Sequence, residues 1–275
     1  PLTFDGDCVS FNGSSQGANV ATTYDIAATG AKTTIAAWVN YDTATVSSAP
    51  MIVGNSLSGT TSRLGIYQTA TNTLMGGCTH ASGTHFQLGS TATLSAKRWY
   101  FCAATFDKDT ATLKFYVDGV EFNTVTASGG GGTTGQFEIG ARENGGSPTL
   151  HFGGNVAHAM MIEDVLTQGE IVELMRDTTY AKAQTFGTVN RYYELDADFN
   201  DDTGSHNATS YGSPTFTNFP ANPTRLIDPS RGAAMARCFT GRAVNLDGSA
   251  DYLQASSKFT SSSNNISMSM WVNID

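Results

Sequence analysis

Carboxylates, imidazoles and planar amides are the groups in this chain that could do chemistry, and their spacing decides which chemistry each could serve. Glu194-Leu195-Asp196-Ala197-Asp198 alternates acidic with apolar residues, so a strand there would carry three carboxylates on one face. Two carboxylates flanking a bond are what a nucleophile and a general acid require. The histidines His80, His85, His151, His158 and His206 include no pair four residues apart, so no helical turn offers two imidazoles to a metal. His80 and His85 straddle an expected loop and read as solvated. Asp5, Asp7, Asp107 and Asp164, with Asn12 and Asp118, are oxygen-bearing residues at expected strand ends. They suit a hard cation in type, which makes calcium the cofactor to test.

Sugar recognition needs planar polar groups for hydroxyls and an aromatic face for the ring. Three expected loops could supply the polar groups at one rim: 54–63 with Asn55 and Arg63, 78–87 with His80, His85, Phe86 and Gln87, and 141–151 with Arg142, Asn144 and His151. The aromatic residues Trp38, Trp99, Tyr100 and Tyr116 fall within strand patterns and are expected in the core. Asn12-Gly13-Ser14, Asn207-Ala208-Thr209 and Asn265-Ile266-Ser267 match the N-glycosylation acceptor pattern, and Asn207 is the best placed because its surroundings are polar.

Composition narrows the partners. Charged residues are only 14% of the 275, below the roughly 25% usual in soluble domains. Gly, Ser, Thr, Asn and Ala fill the surface positions instead, a texture of extracellular, cell-surface or virion proteins. A net charge of −9 disfavours nucleic acid, whose binding relies on Lys and Arg neutralising phosphates. No apolar run approaches the ~18–20 residues that span a bilayer. Pro1 is not preceded by a charged-then-apolar leader, as expected of a processed or excerpted chain. Cys8, Cys78, Cys102 and Cys238 allow three pairings if all are bridged, and none has zinc-type spacing. Cys102 alternates with Tyr100, Ala104 and Phe106 on one strand face, where a buried free thiol serves as well as a disulfide.

The elements that must position these groups are mostly strands. Short alternating segments such as Arg63–Tyr67 and Leu113–Val117 are separated by clusters of Gly, Asn, Asp, Ser and Thr. Asp118-Gly119 between two such runs predicts a tight hairpin, since both residues accept positive φ readily. Gly129–Gly132 predicts a flexible loop before a strand at Gln136–Gly140. One helix is expected near 167–176. Thr167-Gln168-Gly169-Glu170 has the capping-box arrangement, and Ile171, Leu174 and Met175 follow at helical spacing. Asp177–Val189 loses periodicity and reads as a connection.

These motifs, in this order, resemble the laminin G-like branch of the concanavalin A-like lectin/glucanase superfamily. The resemblance rests on Val9–Ser14, the tryptophan strand Ile35–Asn40, Trp99–Asp107, Leu113–Gly119, Phe137–Gly140, Phe152–Val156 and the capped helix from Leu166. It implies an all-β jelly-roll sandwich of two antiparallel sheets. Glucanase relatives carry Glu-x-Asp-x-x-Glu on a catalytic strand; here Glu194 and Asp196 match, but Phe199 stands where the last glutamate would be required. Many laminin G-like modules hold a calcium ion at the rim, which is the implied use of the aspartates above.

The chain also repeats itself. Phe4-x-Gly6-x-x-Val9 and Asn12-Gly13-Ser14 return as Phe239-x-Gly241-x-x-Val244 and Asp247-Gly248-Ser249 at a constant offset of 235, and the Trp38 strand returns around Trp271. A period of that size predicts tandem domains. Residues 1–183 would be one module lacking its lead-in strand, 184–189 a linker, and 190–275 the lead-in and opening strands of a second, incomplete module. The first functional expectation is a non-catalytic extracellular or virion surface protein. It would be adhesive or structural, joined to neighbouring copies by tandem packing or by strand donation into a fibre. The alternative is a carbohydrate-binding lectin, and the third is a glycoside hydrolase working through Glu194 and Asp196.

Overall fold

A computed structural model describes residues 6–26, 28, 30–43, 49–56, 63–69, 73–79, 85–89, 94–126, 135–144 and 147–219. Asp5, His80, Cys238, Asn265 and the glycine run 129–132 lie outside the described residues. In chain order the strands are β1 (Gly6–Asn12), β2 (Gly17–Tyr24), β3 (Lys32–Tyr41), β4 (Met51–Ser56), β5 (Arg63–Gln68), β6 (Leu74–Thr79), β7 (His85–Gly89), β8 (Trp99–Asp107) and β9 (Thr112–Val117). They continue as β10 (Val120–Thr126), β11 (Gly135–Ile139), β12 (Arg142–Asn144), β13 (Ser147–Thr149), β14 (Gly153–Ile162), β15 (Val189–Tyr193), β16 (Thr209–Tyr211) and β17 (Thr215–Phe219). Sheet A has the order β10-β9-β8-β3-β14-β1-β17, with β15 also on β14; sheet B has the order β16-β2-β11-β4-β5-β6-β7; β12 and β13 pair as a small hairpin. This is the expected two-sheet antiparallel jelly-roll sandwich.

Side-chain alternation decides what each sheet face buries. In β3, Ile35, Ala37, Val39 and Tyr41 enter the main core between the sheets, while Ala36 and Trp38 enter a second cluster on the far side of sheet A. In β8 the same split sends Tyr100, Cys102, Ala104 and Phe106 inward and Trp99, Phe101 and Ala103 outward. A strand apolar on both faces needs cover on both, and two helices supply the outer cover. The helix α1 (Gln168–Arg176) has the capping box at Thr167 and Glu170, and buries Ile171 and Leu174. Each such side chain contributes ~1.5–3 kcal/mol when fully buried.

The second helix, α2 (Tyr180–Ala183), lies where the sequence reads as an irregular connection; it is capped by the Thr179 side chain, which accepts from the Lys182 N–H. Four residues are too few to show helical periodicity. Between the helices, the Thr178 hydroxyl accepts from Trp38 Nε1 at 3.1 Å, and the Thr178 carbonyl accepts from the Tyr192 hydroxyl. The predicted Asp118-Gly119 turn is present, with φ of 49° and 77°. Its close approach to α1 leaves no room for a side chain, since a Cβ on Gly119 would meet Val172 Cγ2 at 2.5 Å.

Residues 189–219 do not stand apart from the first sandwich as a boundary at 183–189 would require. β15 pairs with β14, β16 with β2 and β17 with β1. Tyr193, Leu195 and Phe199 are buried in the main core, and the Tyr193 ring stacks on Phe137 at 5.7 Å. All the described residues fall in one compact unit, and 239–275 lie outside the described residues. The physical reason is that β1 and β2 would otherwise expose edges, and the apolar residues of 189–219 fit there. Cys8, Cys78 and Cys102 are buried free thiols. Burial pushes Cys8 and Cys78 up to about 12, with Asp7 adding to the effect at Cys8.

Candidate functional site

Sheet B turns Leu64, Ile66, Leu74, Cys78, Phe137 and Ile139 into the main core, and a separate cluster of Met51, Tyr67 and Met75 marks its outer face. Cross-strand register arranges that face in rows. The first runs from Tyr211 beside Gly17 to Met51, Tyr67, Met75 and Gly89. The second runs through Thr209, Asn19, Glu138, Gly54, Gly65, Gly77 and Gln87. The third holds Gln136 opposite Ser56, then Arg63, Thr79 and His85.

Three glycines thus lie side by side on neighbouring strands. A Cβ on Gly54 would meet the Gly65 Cα at 2.8 Å, and one on Gly65 would meet the Tyr67 ring at 3.3 Å. Glycine weakens a strand interior, so an aligned row of them marks a place where another group approaches the backbone closely. Polar residues border this floor. Glu138 is buried between Asn19 and Gly54 in the register, and the fully buried Ser56 hydroxyl has no hydrogen-bond partner among the described residues. At the β16 edge, Tyr211 covers Gly17 so closely that a Cβ there would collide with the tyrosine hydroxyl. The His151 and Tyr211 rings meet in a T-shaped arrangement with centroids 6.2 Å apart, and His151 Nδ1 lies 3.0 Å from the Gln16 carbonyl. The glycine row, Ser56 and Glu138 are buried, whereas Asn19, Gln136, His151 and Tyr211 at the β16–β2–β11 end are half-buried and Thr209 is exposed, so this end offers an aromatic ring, amides and a hydroxyl, groups of the kind that bind a polyhydroxylated ring.

The structure distributes the sequence candidates unevenly. Arg63, His85 and Gln87 fall at register positions on this face, and His151 joins it through Tyr211. Asn55 does not belong to the rim. A bulge at Ile52, between Met51 and Val53, shifts the alternation of β4, and Asn55 turns to the opposite side, fully buried, where its Nδ2 donates to the Tyr24 carbonyl at 2.9 Å. Arg142 and Asn144 sit on the β12–β13 hairpin, where the Arg142 carbonyl accepts from the Thr149 hydroxyl. Asn207 is exposed, and its Oδ1 accepts from the Asp201 N–H at 2.9 Å. Reasoning from sequence missed Tyr211, Glu138, Ser56 and the glycine row. Their signal is alternation with the core-facing residues, readable only once strand pairing is known.

The carboxylate face expected at 194–198 does not form. β15 ends at Tyr193, and Leu195 turns into the core with φ of 63°. Asp198 instead accepts from the Asn200 N–H at 2.8 Å in a local turn. Asp107 accepts from the Asp109 and Thr110 N–H groups, and Asp164 from the Val165 N–H. Among the described residues, no three His, Cys, Asp or Glu side chains gather to hold a metal ion. Gly13-Ser14-Ser15-Gln16-Gly17 spells the letters of a nucleophile elbow, yet it joins strand to strand, and Ser15 Oγ accepts from Asn12 Nδ2.

The two-sheet fold and its capped helix are those of a lectin-like sandwich. The chain belongs to the concanavalin A-like lectin/glucanases superfamily, whose Laminin_G_3 family model matches residues 12–172. No curated protein matches it in sequence. Among solved structures it is similar to a Bacteroides ovatus protein provisionally named a carbohydrate binding protein, at 20% identity and a TM-score of 0.60, over 80% of this chain and 62% of that one. It is also similar to the native heptameric SAP-like pentraxin of Limulus polyphemus, at 13% identity and a TM-score of 0.55, over 78% of this chain and 95% of that one. The chain therefore spans less than two thirds of the Bacteroides ovatus protein, and both likenesses concern the fold. No helix among the described residues is long and apolar enough to cross a membrane.

Proposed function

We propose that this chain is a non-catalytic carbohydrate-binding module of an extracellular or surface protein, and that the outer face of sheet B holds the sugar. The observation that supports this most is the half-buried edge of Tyr211, His151, Asn19 and Gln136, set beside the glycine row Gly54–Gly65–Gly77, which is itself buried with Glu138 and Ser56. The outer face of sheet A is unsuited to the task, because α1 and α2 pack on it. The name given to the Bacteroides ovatus protein agrees with this reading. Return of the opening motif at 239–255 favours an adhesive role, since linked modules bind multivalent surfaces with avidity beyond either site alone.

A glycan array probed with the full chain tests the proposal, with and without a calcium chelator. Selective signal for one sugar class is expected, and a flat array overturns the binding role. Loss of signal with chelator would place calcium in the site. A hydrolase reading requires carboxylates on one strand face at 194–198, which the turn at Leu195 disfavours. Incubation with β-glucans should release no reducing ends.

A further inference from the structure

We propose that residues 189–219 are an exchangeable segment, able to complete the sandwich of a second copy of this chain. The segment contributes a strand at each acceptor edge: β15 at Ala159–Ile162 of β14, β16 at Gly17–Asn19 of β2, and β17 at Gly6–Ser10 of β1. Without it, the outer edges of β1 and β2 are open, and Phe137 loses the stacked Tyr193 ring. Open edges of this kind capture a matching strand.

Two further features make the strand transferable. First, it is tethered to α2 by residues 184–188, of which Gln184, Thr185 and Thr188 are exposed and Gly187 has no side chain. Opening such a connection lets an identical element dock on a neighbour with every native pairing kept, which is the low-cost route to domain swapping. Second, Gly6-x-x-Val9 of the strand that receives β17 recurs in the sequence as Gly241-x-x-Val244, whereas Gly17–Asn19, which receives β16, does not.

Exchange would also make the candidate sugar face composite. Tyr211 arrives on β16, whereas Gly17, His151 and the glycine row belong to the acceptor. One copy would then supply the aromatic edge of its neighbour's site. The exchange itself stands independently of the glycan reading, because it rests on strand register.

Paired cysteines across β1 and β17 test it. Ser10 and Thr215 face each other in register. In the full chain carrying Cys238→Ser, the double variant Ser10→Cys/Thr215→Cys should close a disulfide between these positions. Two differently tagged full chains, one with Ser10→Cys and the other with Thr215→Cys, are then co-expressed and oxidised. A covalent heterodimer whose peptide map joins positions 10 and 215 is expected. Closure in the double variant with no heterodimer in the mixed pair overturns exchange, and failure of the double variant to close overturns the register on which it rests. Should the cysteine variants aggregate, native mass spectrometry of the unaltered chain decides: dimers and higher species support the proposal, and monomer alone refutes it.

Discussion

Asp118 shows how much one residue in this fold can be asked to do. It adopts φ of 49° in the β9–β10 turn, accepts from the Phe101 N–H at 2.9 Å and sits 3.7 Å from Arg98. Burial nevertheless outweighs the Phe101 hydrogen bond and the Arg98 charge, and raises its carboxyl above the ordinary value. The native state therefore keeps this proton to higher pH than the unfolded chain does. As pH rises from the unfolded value through the raised folded one, the contribution of Asp118 to stability falls. Asp118→Asn keeps the turn preference and the acceptor oxygen while removing the ionisation. It should flatten that part of the pH profile and leave the protein at least as stable at neutral pH, as read by thermal unfolding from acid to neutral conditions. The turn itself was legible in the sequence because Asp-Gly acts locally. Asn55 was not, since its direction depends on a bulge three residues away that no local pattern announces.

At the scale of elements, α1 holds the outer face of sheet A shut. Its Thr167 cap satisfies the Glu170 N–H while Glu170 reaches back to Thr167, and Gln168 Nε2 donates to the Gly119 carbonyl at 2.9 Å. Thr167→Ala should lower the unfolding free energy by about 1 kcal/mol in chemical denaturation, without changing binding at sheet B. This helix was readable from its capping box and apolar stripe. The strand expected over Arg191–Asp196 stops at Tyr193 because Leu195 takes a positive φ of 63°, which ends the pairing while Leu195 stays on the core side with Tyr193. β14 keeps both its faces apolar through a similar device. A bulge at His158, with φ of 50°, resets the alternation so that Val156, Ala159 and Met161 all reach the core. Pairing geometry of this kind leaves little trace in composition.

For the molecule as a whole, the sandwich has two faces with different fates. Sheet A is covered by helices and tied to them by Trp38, Thr178 and Tyr192, whereas the described residues place no helix on the outer face of sheet B. Closure of the first sandwich by 189–219 was not foreseen: 190–275 reads in sequence as part of a second module, because a lead-in before a recurring opening motif does not show which opening strands it pairs with. Of the residues expected at a polar rim, Arg63, His85 and Gln87 hold register positions in β5 and β7, and Asn55 is turned into the core.

The claim that this face binds sugar is tested most directly by backbone amide mapping of the full chain, with the strongest glycan from the array added to saturation. Protection or shift changes should concentrate on β2, β11 and β4–β6. They should vanish in Gly65→Val, whose side chain would fill the floor beside Gly54, provided that variant retains the native fold by circular dichroism. Changes confined to sheet A or its helices, or binding unaltered in a folded Gly65→Val protein, would contradict the account.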